Sequence, residues 1–144
     1  IDIKVNKKQV GSDRLANSIA SIDNKNNFII IDFGTATTFD VVGKDGAYLG
    51  GAIAPGVSVS IKALHDAAAA LPYVDVRRPD NVIGKNTNEA VRSGFYWGYA
   101  GLIDNMVKLI KRQTKSDFKV ILTGGLAGLY KKSINTKFIP EKKL

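Results

Sequence analysis

The segment Ile31-Asp32-Phe33-Gly34-Thr35-Ala36-Thr37-Thr38-Phe39-Asp40 holds the residues best suited to chemistry. Asp32 follows a continuous apolar run, Phe28 to Ile31, and Gly34 then permits a tight turn. Hydroxyls at Thr35, Thr37 and Thr38 open the next stretch. Phosphoryl transfer needs such a setting: backbone N–H groups and hydroxyls facing phosphate oxygens, beside a carboxylate that can hold a cation. An ordinary hairpin with an aspartate at its turn would carry the same residues, so Asp-x-Gly-Thr alone leaves both readings open. A second candidate is Gly11-Ser12-Asp13-Arg14. A carboxylate there could orient an attacking hydroxyl and accept its proton. Asp13 could equally be a plain helix N-cap. Arg14 could grip a carboxylate or phosphate in bidentate fashion, or form a surface ion pair.

These residues need elements to position them. Leu15, Ile19 and Ile22 fit a short helix capped by Ser12 or Asp13. Asn24 to Asn27 is a polar turn. Phe28–Ile31 fits a strand buried on both faces, and Thr37–Val42 a second strand. Lys44-Asp45-Gly46 has hairpin chemistry, and Ala47–Ile53 fits a third strand. After Pro55-Gly56, a helix is expected from Val57 to Ala70, ended by Leu71-Pro72. Residues 73–86 read as irregular.

A long helix is expected over Asn88–Gln113, with Val91, Phe95, Leu102, Met106 and Ile110 on its buried face. Gly94, Gly98 and Gly101 interrupt it and suggest that another backbone packs closely there. A strand at Phe118–Leu122, a short helix at Leu126–Lys132 and a strand at Phe138-Ile139 follow. The order predicts a mixed α/β layer fold in one domain. His65, the single histidine, is expected to pack or lie at the surface rather than to catalyse.

Composition narrows the field. The chain has 144 residues, is 44% hydrophobic and 24% charged, and so can bury a core. It has no cysteine, which removes disulfides, thiolate zinc sites and cysteine nucleophiles. No apolar run is long enough to span a membrane. The net charge is +8, and its whole excess lies after Val107. Ten basic residues there face only Asp117 and Glu141. A solvated helix face with a lysine-rich tail accounts for this; an anion- or nucleic-acid-binding patch is the sharper alternative. Against the sharper reading, Phe118, Tyr130 and Phe138 sit in apolar contexts.

The motif order makes a resemblance specific. Asp32 to Asp40, then Tyr48-Leu49-Gly50-Gly51-Ala52-Ile53-Ala54-Pro55-Gly56, Leu71-Pro72 and Ile83-Gly84-Lys85-Asn86-Thr87 resemble type III pantothenate kinases, the Bvg accessory factor family. Gly11 to Arg14 resembles that family's Gly-x-Asp-Arg segment, with Ser12 where alanine is common. Leu122-Thr123-Gly124-Gly125 resembles its adenosine-side turn.

The resemblance implies an α/β, actin-like ATPase (ribonuclease H-like) domain: a mixed sheet with flanking helices. It implies transfer of the ATP γ-phosphate to pantothenate, giving 4′-phosphopantothenate, the first step of coenzyme A synthesis. Position by position, it makes Asp13 the catalytic aspartate. Gly11, Ser12, Asp13, Arg14 and Thr87 become substrate-binding residues and Thr35 an ATP contact. Asp32 becomes the site of a monovalent cation, potassium or ammonium. It implies Mg²⁺ with ATP, a homodimer and a cytoplasmic setting; the residues themselves give no membrane partner and do not favour nucleic acid. No Asp-x-Gly-Asn-Thr loop precedes Asp32. Residues 1–144 are therefore expected to be the C-terminal half-domain, lacking the N-terminal half and final segment and inactive alone. A Bvg accessory factor-like transcriptional regulator, or another actin-fold small-molecule kinase, is the alternative.

Overall fold

The computed structural model describes residues 2–3 and 22–140. Gly11, Ser12, Asp13 and Arg14, and the short helix expected with them, lie outside the described residues. Three antiparallel strands form the centre: β2 (Phe28–Phe33), β3 (Ala36–Val42) and β4 (Ala47–Pro55). On the outer side of β4, β1 (Asp2–Ile3) pairs in parallel; on the other side, β5 (Lys119–Gly124) runs parallel to β2. β6 (Ile139–Pro140) pairs in parallel with β5. Among the described residues the sheet thus has six strands in the order β1-β4-β3-β2-β5-β6.

The apolar run of β2 is buried on both faces, as its lack of alternation implies. Ile29, Ile31 and Phe33 face one core, with Phe39, Val120 and Leu122. Phe28 and Ile30 face the other, with Val42, Tyr48 and Ile121. The first core is covered by α1 (Val57–Ala67) and α2 (Thr87–Thr114). A short α3 (Ala127–Tyr130) adds Tyr130, which stacks on Phe33 at 5.4 Å and on Tyr96 at 5.0 Å. The hairpin turn between β3 and β4 forms as expected: Gly43 O accepts from Gly46 N, and Gly46 has φ +86°.

Two helices differ from the sequence reading. α1 stops at Ala67 rather than Ala70, because Ala68 leaves helical geometry at φ −127°, ψ 90°. Pro72 disfavours helix just before it, and Leu71 N bonds back to Ala68 O. The His65 ring closes this turn, its Nδ1 lying 2.7 Å from Leu71 O, so His65 has the packing role expected of it.

In α2 the fully buried stripe is Ser93, Tyr96, Ala100, Ile103 and Val107, with Val91. Phe95, Leu102, Met106 and Ile110 flank it half-buried. Ser93 and Ala100 are the small members of this stripe, Ser93 Oγ donating to Val82 O, and a search for large apolar residues passes over them. Gly94, Gly98 and Gly101 face outward: a Cβ added at any of them would meet nothing within 4 Å. No described backbone packs on those glycines, contrary to expectation.

Candidate active site at the carboxyl ends of the central strands

β2 and β5 are parallel and end together, with Asp32 opposite Thr123 and Phe33 opposite Gly124. On its other side Asp32 pairs with Thr38 of β3. Directly paired residues share a face, so Thr38, Asp32 and Thr123 form one row across three strands. A half-buried carboxylate is thus flanked by two hydroxyl residues. In open α/β sheets ligands bind beyond the carboxyl ends of the strands, which is where this row lies.

Glycines fix the turn beyond Asp32. Gly34 N donates to Ala36 O at 3.1 Å and tightens the bend that carries Thr35, which is exposed. Gly56 N, just ahead of α1, donates to Thr35 O at 3.0 Å. The approach is so close that a Cβ at Gly56 would lie 2.1 Å from Thr35 O. Gly124 closes the other side at φ +95°, where a Cβ would lie 2.6 Å from Asp32 Oδ1 and from Phe33 N. The glycine start of α1 has no side-chain cap, and Tyr99 of α2 braces it by donating to Pro55 O at 2.8 Å. Tyr99 Oη also lies 2.9 Å from Ser60 Oγ.

Thr87 lies elsewhere, as the exposed first residue of α2. Its position is well defined. The Asn86 side chain accepts from Glu89 N, and Glu89 Oε2 accepts from Lys85 N at 2.8 Å, a variant of the capping box. Gly84 packs directly on this turn; a Cβ there would lie 2.4 Å from Ala90 N. Lys85 and Glu89, on either side of Thr87, line a cleft of about 560 Å³ with Arg77, Arg78 and Arg92. Arg92 donates to Asp75 at 2.8 Å, and this bond holds the Asp75 carboxyl below the ordinary aspartate range. Arg78 stacks 5.5 Å over the Trp97 ring.

The structure therefore brings Asp32 and Thr35 together and sets Thr87 apart from them, at a helix start beside a cleft whose lining holds Arg77, Arg78, Lys85 and Arg92 together with Asp80 and Glu89. Asp13 and its neighbours lie outside the described residues. Sequence reasoning missed Thr38 and Thr123 as flanks of Asp32, and Gly56 and Gly124 as locks. A signal for Thr123 was present: like Asp32, it ends a buried apolar run.

The β4-β3-β2 meander continues into parallel β5 and β6, with glycine turns at the strand ends, a mixed α/β arrangement of the actin-like fold. A Baf family transcriptional activator from Campylobacter jejuni has the same fold, with a TM-score of 0.63 at 22% identity over 91% of this chain and 57% of that one. An archaeal actin homologue matches with a TM-score of 0.51 at 14% identity, over 88% and 46% of the two chains. The family model for type III pantothenate kinase matches residues 1–109. The type III pantothenate kinase of Pelagibacter ubique is 59% identical over 142 residues, 99% of this chain and 57% of that protein. That of Roseobacter denitrificans is 51% identical over 135 residues, 92% of this chain and 52% of that protein. The chain belongs to the type III pantothenate kinase family and spans about half the length of the curated relatives it matches.

Proposed function

We propose that this chain carries the pantothenate side, and part of the ATP side, of a kinase that moves the ATP γ-phosphate to the primary hydroxyl of pantothenate. The product, 4′-phosphopantothenate, leads to coenzyme A. The observation that carries the reading is the locked turn at Asp32 and Thr35 in a member of this family. Thr35 and the backbone of its turn offer donors to phosphate oxygens, which suits a reaction dominated by positioning and charge. Asp13 orients the pantothenate hydroxyl and takes its proton, while Gly11, Ser12, Arg14 and Thr87 hold the substrate. Its place is the cytoplasm, and its working form a homodimer.

Asp32 would hold a monovalent ion, potassium or ammonium, and ATP would be bound together with Mg²⁺. The donor set suits such an ion: one carboxylate between two hydroxyl residues supplies hard oxygen ligands. When bound, these ions neutralise charge on the phosphate oxygens.

The test is transfer of label from γ-labelled ATP, measured on the full-length protein. Pantothenate should be the preferred acceptor among pantothenate, hexoses and short carboxylic acids. Asp13→Asn should lower kcat by a factor of at least about 100 with an unchanged circular dichroism spectrum. Preference for a sugar or acyl acceptor, or full turnover in Asp13→Asn, would overturn the reading.

A further inference from the structure

The opposite end of the same strand pair has a different character. α2 ends at Thr114, and Lys115 reverses the chain at φ 51° toward the start of β5. Lys108, Lys111, Arg112 and Lys115 line one depression there, of about 410 Å³, with Ser116 and Asp117. A second, of about 390 Å³, shares Lys111 and Asp117 with the first, so the two adjoin. Lys119 and Lys137 line the second. None of these six cations has an ion-pair partner among the described residues. A helix C-terminus carries the equivalent of about half a negative charge and so favours a nearby cation. Six cations around one acidic side chain far exceed what the helix end alone explains.

The second depression is not only basic. Phe118 and Phe138, which the sequence places in apolar contexts, are both half-buried and line it together with the lysines. Its floor is braced. Asn27 Nδ2 donates to Asp117 O at 3.1 Å, Asn27 O accepts from Lys119 N at 2.8 Å, and Asn27 Oδ1 accepts from Lys44 N at 2.8 Å. Aromatic rings held in a preformed basic depression are the elements of single-strand recognition: cations follow the phosphates and rings stack on bases.

We propose that this surface binds single-stranded nucleic acid. Lys108, Lys111, Arg112 and Lys115 contact successive phosphates, and a base stacks against Phe118 or Phe138. A duplex keeps its base faces stacked inward and cannot use the rings. Along β5 the surface lies five residues from Gly124, roughly 17 Å at 3.3 Å per residue, so it does not overlap the Asp32 turn and does not depend on the kinase reading.

The test is fluorescence anisotropy of the chain with a labelled 20-nucleotide oligo-dT, an unlabelled duplex as competitor, and phosphatidylglycerol vesicles in a co-sedimentation arm. Four phosphate contacts predict a slope of log affinity against log salt near −3, so affinity falls roughly fiftyfold between 50 and 200 mM salt. The single strand should outcompete the duplex at least about tenfold. The triple variant Lys111→Glu, Arg112→Glu, Lys115→Glu should weaken binding more than tenfold and flatten the slope. Phe138→Leu, which keeps an apolar side chain, should weaken it about tenfold with the slope unchanged. Equal affinity for duplex and single strand, binding unaffected by the triple variant, or recovery only with the vesicles would overturn the proposal. The strand preference and the salt slope need no variant, so a Phe138→Leu chain that fails to fold leaves the test intact.

Discussion

The two ends of the β2–β5 pair are built on different principles. At the carboxyl end, specificity is steric: Gly56 and Gly124 let backbone segments approach closer than any side chain would permit, and Asp32 and Thr35 are fixed as a result. At the amino end, character comes from side chains, with cations that have no ion-pair partner among the described residues around two half-buried rings. A site that must align a few atoms is made from backbone, whose positions are overdetermined by the sheet. A surface that follows a flexible polyanion can rest on long, mobile side chains. Mutations should therefore act as switches at the first end and in graded steps at the second.

The largest expected effect separates two glycines of the same backbone sign. Gly124→Ala forces a Cβ against Asp32 and Phe33 at φ +95°, and should cost on the order of 3 kcal/mol in urea unfolding. Gly46, at φ +86°, has nothing within 4 Å of an added Cβ, so Gly46→Ala should cost only about 1 kcal/mol. Equal costs would mean that backbone strain, not close approach, governs the carboxyl end.

Gly56→Ala comes next. Gly56 has φ −65°, so alanine is unstrained there, and the whole penalty comes from the 2.1 Å approach to Thr35 O. The expected loss is about 2 kcal/mol. In the full-length protein it should bring a rise in KM for ATP larger than that for pantothenate. A stable variant with unchanged KM for ATP would detach Thr35 from the phosphate role.

The smallest effect is pH-dependent. Burial, reinforced by Tyr96 and Tyr99, pushes the Tyr130 hydroxyl well above its ordinary value near 10. A raised folded-state pKa contributes stability that is complete below the unfolded value and is lost as pH rises through the folded one. Tyr130 packs on Phe33 beside the Asp32 turn, so that end should weaken above about pH 10. Tyr130→Phe should lose about 1 kcal/mol at neutral pH, for the bond to Phe95 O, and remove its share of the alkaline decline. An unchanged alkaline limb in thermal melts would show that Tyr130 does not set it.

Much of the fold was legible locally. The four apolar residues from Phe28, the β-branched run to Val42 and the turn at Gly46 gave three strands in the right places. Helix ends and faces were read less well. The α1 terminus depends on the His65 contact with Leu71 O, and the buried stripe of α2 uses Ser93 and Ala100, small residues that carry no strong apolar signal.

By itself, the sequence determined the family, through motifs whose order and spacing survive without any coordinates. It also determined that Asp32 would follow a buried apolar run, one residue short of the strand's end at Phe33, and that the basic charge would gather after Val107. The tertiary structure decided which distant residues share a site. Thr38 and Thr123 meet Asp32 through strand register, Gly124 closes on Asp32, and Phe118 and Phe138 pack against the main core while also lining the basic depression. The physical reason is range. Periodicity and turn chemistry act within a few residues, whereas register and close packing are fixed only when the whole sheet forms around its core.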